Sequence, residues 1–296
     1  MKVATVRNGD GSTTAAVEVG MEAYLPLPAA DVGALLQNGN WRDVAAAAVQ
    51  GGGPVRTGTA VQLAPLLPQA AKVICCGLNY GDHIAEMGRE LPKYPTLFAK
   101  FADSLAGAND RIDIHGSTQI DWEAELAVVV GATLRRADEQ TAAAAIAGYT
   151  VANDVSMRDW QNRTLQWFQG KAFDASTPVG PAMVSADEFP AGHAFAVRGY
   201  VNGELVQSGN TATLVYGPAR LLAYISQFTT LRAGDLVLTG TPGGVGMGMR
   251  PPRFMNDGDV LRTEIDGIGA LENMIRIHPA GTNTPLLKTT TKESVS

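Results

Sequence analysis

A chain of 296 residues, 45% hydrophobic and 18% charged, has the make-up of an ordinary globular protein, with room for one large domain or a large one beside a small one. Its net charge of −6 and the lack of any basic cluster argue against nucleic acid as a partner, and no apolar run reaches the roughly 18 residues that a membrane span needs. The 33 glycines and 16 prolines call for many turns, as a β-rich fold does.

Met1 to Arg7 reads as a first strand and not as a signal peptide. Val3 to Val6 and Ala15 to Val19 alternate as strands around the turn Asn8-Gly9-Asp10-Gly11. Asp31 is placed to cap a helix through Val32, Leu35 and Leu36, and a second helical piece runs from Trp41 to Val49. Gly51-Gly52-Gly53-Pro54 breaks that pattern, and Val61 to Leu67 is apolar and extended. Residues 1–70 are therefore expected to form a small N-terminal α+β module, and residues 71–281 a larger catalytic domain.

The larger region opens with the strand Lys72 to Cys76. Its two cysteines, Cys75 and Cys76, are neighbours on a strand and so point to opposite faces. They exclude a disulfide framework, fit a reducing cytoplasm and read as small core residues. Asn79 is placed to cap a short helix with Asp82 in its first turn. On that helix His83 and Glu86 share a face, a spacing that suits a carboxylate-supported imidazole base and equally a surface pair. The Gly- and Pro-rich stretch from Met87 to Ala108 is placed to act as a lid beside them.

The stretch Asp121-Trp122-Glu123-Ala124-Glu125, running into Leu126 to Val130 and ending on Gly131, reads as a strand. Glu123 and Glu125 then point the same way. Two like charges on one face of a strand that enters a core need neutralising, and a hard divalent cation with oxygen ligands does so; a solvated strand end is the alternative. A helix from Asp138 to Ala147, ended by Gly148, leads into the strand Tyr149 to Val155, which carries Asp154. Arg158, Asp159 and Gln161 follow at once, and Lys171 comes soon after.

Strands are expected at Ala194 to Val201, Leu205 to Gln207, Asp235 to Thr239, Val260 to Ile265 and Ala270 to Ile277, with turns at Asn202-Gly203 and Asp266-Gly267. The helix Pro218 to Gln227 interrupts them. Gly240-Thr241-Pro242-Gly243-Gly244-Val245-Gly246 lacks the lysine of a phosphate-binding P-loop. It reads either as a tight turn or as a backbone surface for a small anion. The polar tail 282–296 is expected to be disordered.

Taken in order, Gly77-Leu78-Asn79-Tyr80…His83…Glu86, Glu123-x-Glu125, Asn153-Asp154-Val155-Ser156-x-Arg158-Asp159-x-Gln161, Gly170-Lys171…Pro178-Val179-Gly180-Pro181 and Thr239-Gly240-Thr241-Pro242-x-Gly244-Val245-Gly246 resemble the motifs of the fumarylacetoacetate hydrolase family. The resemblance implies an α+β, β-rich fold, a mixed β-sandwich roll, and a homodimer. It implies Mg²⁺, or Mn²⁺ or Ca²⁺, at Glu123, Glu125 and Asp154, and His83 with Glu86 as a water-activating dyad. It places Lys171 and Gln161 toward the substrate, Thr241 at the substrate carboxylate, and Arg158 and Tyr80 as further substrate contacts. Trp160, Trp167 and Phe168 are open to a pocket role or to core packing. One departure is Phe98-Ala99-Lys100, followed here by Phe101 where many relatives have proline.

The reaction so implied is hydrolysis of a C–C bond in a 2,4-dioxo acid, an acylpyruvate of the fumarylpyruvate type from aromatic ring cleavage, to pyruvate and a carboxylic acid. Isomerisation, decarboxylation, hydration and dehydration of a chelated 2-oxo acid are the alternatives, as is a non-catalytic relative that only binds small molecules.

Overall fold

The computed structural model describes residues 1–58, 61–81, 84, 90–279 and 281. His83, Glu86 and the tail 282–296 lie outside the described residues. The first strands are β1 (Lys2–Arg7), β2 (Thr13–Gly20) and β3 (Ala23–Pro26), followed by helices α1 (Val32–Gln37) and α2 (Trp41–Gly51) and the short β4 (Arg56–Thr57). The Asp31 carboxylate caps α1 by accepting from the Ala34 N–H at 2.8 Å. Val61 to Leu67 forms no strand; only Leu63 makes a bridge, to Val6.

The chain continues through β5 (Val73–Gly77), β6 (Thr96–Lys100), β7 (Leu105–Ala106), β8 (Ile112–His115), β9 (Ile120–Asp121), β10 (Ala124–Val130), α3 (Glu139–Ala144), β11 (Ile146–Asn153) and β12 (Ser156–Met157). Then come α4 (Arg158–Gln161), α5 (Phe168–Lys171), β13 (Thr177–Ser185), β14 (Ala196–Val201), β15 (Glu204–Asn210), α6 (Pro218–Phe228), β16 (Leu236–Leu238), β17 (Val260–Ile265) and β18 (Gly269–His278). No helix among them is long and apolar enough to cross a membrane. The fold is mixed and strand-rich.

Among the described residues one large sheet runs in the order β4-β3-β2-β1-β13-β11-β10-β16-β5-β6, with β7 beside β13. A second sheet, β15-β14-β17-β18-β8, packs over part of it. The strand β10 is buried on both faces, so its sequence is a continuous apolar run and not an alternating one. Alternation still decides where each side chain goes. Ala124 and Leu126 meet the second sheet at Val197, Ile265 and Leu271. Val128 and Val130, on the same face, meet α3 and α6 through Ala142, Leu222 and Ile225. Ala127 and Val129 face the other way, into a core shared with Val17, Leu35, Trp41 and Met183. Glu125 lies on that second face, at its open end.

One sequence expectation needs correction. The helix expected to reach Ala147 ends at Ala144, and Gly148 lies inside β11 and does not stop the helix. A side chain at Gly148 would run into the Val184 carbonyl of β13, so the glycine permits close strand pairing at an irregular register. Asn79, whose expected helix falls largely outside the described residues, has long-range partners. Its amide donates to the Tyr216 and Thr239 carbonyls and accepts from the Tyr216 N–H, tying β5 to the loops on either side of α6 and β16.

A candidate metal centre beside a small cavity

The centre follows from the register of one strand pair. Between β10 and β11, Ala124 pairs with Asn153 and Glu125 with Ala152. The next step outward sets Glu123 against Asp154, and the Asp154 N–H donates to the Glu123 carbonyl at 2.9 Å. Asn153 clamps the same end, its side-chain oxygen accepting from the Glu123 N–H at 2.9 Å. Glu123, Glu125 and Asp154 thereby share one face, with a ligand oxygen of each within 4.8 Å of the others.

All three are buried, and their environment is strongly charged. Lys171 donates to Glu123 Oε2 and to Asp154 Oδ2, at 2.7 Å each. Lys100 donates to Asp154 Oδ1. Arg158 donates to Glu123 at 2.7 Å, to Asp121 Oδ2 at 2.8 Å and to Gln161 Oε1 at 2.7 Å. Asp121 is buried as well, so the four carboxylates of Asp121, Glu123, Glu125 and Asp154 face the three cations Lys100, Arg158 and Lys171.

Among the described residues Glu125 is the least compensated of the three. Among the described residues its partner is the Gly240 N–H, at 2.6 Å, and no cation pairs with it. Burial, then the Asp154 and Glu123 carboxylates, push its carboxyl well above the usual glutamate range. Asp154 behaves oppositely: burial would raise it, but the Lys100 and Lys171 ammoniums outweigh that and hold it below the usual range. For Lys171, burial works against the charge, and the Asp154 and Glu123 carboxylates outweigh it, so the ammonium keeps its proton more firmly than a free lysine. Three convergent buried carboxylate oxygens, one of them without a cationic partner among the described residues, are the donor set of a hard divalent cation, and the residues fit such an ion.

A cavity of about 350 Å³ lies against this cluster. Glu123, Arg158, Gln161, Lys171 and Thr241 line it, opposite an apolar wall that includes Trp167 and Met247. A larger cavity of about 510 Å³, lined in part by Phe189, His193 and Phe195, shares none of those residues. Trp167 packs edge-on against Phe98. Trp160 instead packs against Phe173, and Phe168 against Phe101, away from the cavity lining. Tyr80 is buried, bridges to Leu214 and is not among the described residues lining the cavity. Cys76 does line it, but burial followed by the Glu125 charge pushes its thiol up to about 12, which makes it inert.

The glycine-rich loop after β16 does use its backbone to hold anions. Its N–H groups hold carboxylates of the protein itself: Gly240 donates to Glu125, and Gly246 and Met247 donate to Asp121. The Thr241 hydroxyl donates to the Ala124 carbonyl at 3.0 Å and accepts from Gln207 at 2.8 Å, so its orientation is fixed.

A family model for the fumarylacetoacetate hydrolase C-terminal domain matches residues 72–276. The chain belongs to the fumarylacetoacetate hydrolase family. Within that family it is 46% identical over 216 residues to the mitochondrial oxaloacetate tautomerase of Xenopus laevis, an alignment spanning 72% of this chain and 67% of that protein. The solved fumarylacetoacetate hydrolase of Exiguobacterium antarcticum superposes with a TM-score of 0.84 at 35% identity, covering 94% of this chain and 100% of the other. The 5-carboxymethyl-2-hydroxymuconate delta-isomerase of Mycobacterium smegmatis gives 0.75 at 30% identity, covering 94% and 99%. Members of the fumarylacetoacetate hydrolase family thus carry hydrolase, isomerase and tautomerase names on one fold.

Three buried residues of this centre had drawn no role from the sequence: Lys100, Asp121 and Gln207. Phe98-Ala99-Lys100 puts Lys100 at the end of a strand, where a lysine ordinarily reaches water. Asp121 did carry a signal, since it sits between Ile120 and Trp122, both fully buried.

Proposed function

We propose that this protein is a divalent-metal enzyme acting on a 2-oxo acid through its enolate, and that its reaction is keto–enol tautomerisation of a small 2-oxo dicarboxylic acid such as oxaloacetate. The observation that carries this reading is Glu125, a buried carboxylate beside two others with no cationic partner among the described residues. Three carboxylate oxygens suit Mg²⁺ first, and Mn²⁺ or Ca²⁺ also. When bound, such an ion would supply positive charge to hold a 2-oxo carboxylate and to stabilise negative charge on the neighbouring oxygen.

The protein's own groups set the rest. Lys171 retains its proton, so it acts as a hydrogen-bond donor to developing negative charge and not as the base. With Gln161 Oε1 held by Arg158, the Gln161 NH₂ remains as a donor toward the cavity. The oxaloacetate tautomerase name of a 46% identical relative supports tautomerisation.

Hydrolysis of an acylpyruvate is the second reading. The sequence spacing of His83 and Glu86, a pair suited to activating water, and the structural likeness to a fumarylacetoacetate hydrolase favour it. One experiment separates the two. Decay of the oxaloacetate enol is followed by ultraviolet absorbance with Mg²⁺ and after chelation, alongside pyruvate release from a panel of 2,4-dioxo acids. Metal-dependent enol decay without pyruvate release supports tautomerisation. Metal-dependent pyruvate release from the panel, with enol decay at the spontaneous rate, replaces it with hydrolysis.

A further inference from the structure

The Asp121 carboxylate is fully buried and lies outside the convergent triad. Four donors saturate it. Oδ1 accepts from the Trp122 N–H at 2.8 Å and the Gly246 N–H at 2.7 Å. Oδ2 accepts from Arg158 Nε at 2.8 Å and the Met247 N–H at 3.0 Å. Those donors come from three separate segments: the chain entering β10, the start of α4, and the loop after β16.

Arg158 extends the connection. Of its two remaining nitrogens, one donates to Gln161 Oε1 and the other pairs with Glu123 Oε1, both at 2.7 Å. A planar guanidinium spans three oxygens in fixed directions, which a lysine ammonium at the end of a flexible stem does not. Glu123 is thus held at Oε1 by Arg158, while its Oε2 accepts from Lys171, which also donates to Asp154. The loop is closely packed here at Gly246. A side chain on Gly246 would run into the Arg253 carbonyl and come within 2.9 Å of both Asp121 Oδ1 and the Trp122 ring.

We propose that Asp121 is a positioning residue for the metal centre: acting through Arg158, it fixes which oxygen Glu123 presents to the cation, and through Gly246 and Met247 it fixes the adjoining cavity wall. The proposal rests on the carboxylate triad holding a cation. It differs from a purely structural role in requiring that loss of Asp121 be felt at the metal through Arg158. Partners of metal ligands typically alter affinity by roughly 10–100-fold when removed.

The test is Mn²⁺ affinity measured by calorimetry on the full chain, a quantity independent of turnover. Asp121→Asn is expected to weaken Mn²⁺ binding about tenfold, and Arg158→Met by at least as much. The double variant should be no weaker than Arg158→Met alone, because the two act in series. Arg158→Lys keeps the positive charge beside Asp121 and protects the fold, yet should also lose affinity. Asp235→Asn removes another buried carboxylate that holds backbone N–H groups, at Lys72 and Arg232, and should leave Mn²⁺ binding unchanged. Wild-type affinity in Asp121→Asn, an additive loss in the double variant, or an equal loss in Asp235→Asn would overturn the proposal alone. Wild-type protein that takes up no Mn²⁺ would overturn the triad reading and this proposal with it.

Discussion

The ammonium of Lys171 stands midway between Glu123 and Asp154, 2.7 Å from an oxygen of each. Two of the three convergent carboxylates therefore share one monovalent cation, and the third, Glu125, has none among the described residues. Stability, metal uptake and the shape of the cavity all depend on how that charge is balanced.

Replacing Lys171 by methionine removes the cation between two buried carboxylates, leaving Glu123 to Arg158 and Asp154 to Lys100. Breaking a buried pair by removing one partner typically destabilises by about 3–5 kcal/mol. The Lys171→Met protein should lose that much in denaturant titrations run with a chelator. Added Mg²⁺ should close most of the gap, because a divalent ion neutralises the same oxygens. Turnover should remain about 10²–10³-fold down even with Mg²⁺, the usual consequence of losing one donor to developing negative charge. Equal destabilisation with and without Mg²⁺ would show that the ion sits elsewhere.

Glu125 leads to a prediction of opposite sign. Burial, with the Asp154 and Glu123 charges, raises its carboxyl well above the usual range. In the metal-free chain the protonated form is thus favoured by folding, and stability is lost as pH rises through the raised value. Glu125→Gln removes that loss. It should raise the unfolding temperature near neutral pH in the presence of chelator, by a few degrees for each ~1 kcal/mol recovered in a chain of this size. The gain should vanish below about pH 4, where the glutamate is protonated in folded and unfolded chains alike. With Mg²⁺ present the order should reverse, since only the wild type gains from the ion. Melting curves across pH, with and without Mg²⁺, check all three arms.

Gly77 forms part of the cavity wall because nothing larger fits. A Cβ there would run into the Trp167 ring, with the ring's Cη2 at 2.9 Å. Gly77→Ala should tilt Trp167 into the cavity at a stability cost of about 1–3 kcal/mol. KM should rise more than kcat falls, because the substitution changes space and leaves the charged cluster alone. Gly77→Ala combined with Trp167→Leu should recover much of the KM. Steady-state kinetics and tryptophan fluorescence on the three variants decide it.

Features governed by local chemistry were legible in the sequence. Asp31 announced its helix through an ordinary capping bond, and Asn202-Gly203 announced a hairpin that does carry positive φ at both residues, +52° and +80°. The carboxylate pair at positions 123 and 125 was legible because a strand repeats every two residues. The long-range role of Asn79 was not legible, because its side chain bonds across more than a hundred residues of chain to Tyr216 and Thr239, and no local pattern records such partners. Lys100 and Asp121 escaped for a related reason. A buried ion is tolerable only through its counter-ion, and Asp154 and Arg158 are distant in sequence. The glycine-rich loop was read for foreign anions because its own two, Asp121 and Glu125, lie more than a hundred positions upstream.

The hydrogen-bonded seam between β1 and β13, at Lys2–Val184 and Val3–Met183, has a consequence for how this protein can be shortened. Val3, Val17, Leu35 and Trp41 also bury themselves against Val73, Val129 and Met183 of the family-matching region. A chain begun at residue 71 would bare that apolar surface and leave part of β13 as a raw sheet border able to recruit further strands. Excising the first seventy residues would therefore yield a sticky fragment prone to clump, and a study of their contribution is better served by point changes at their contacts than by deletion.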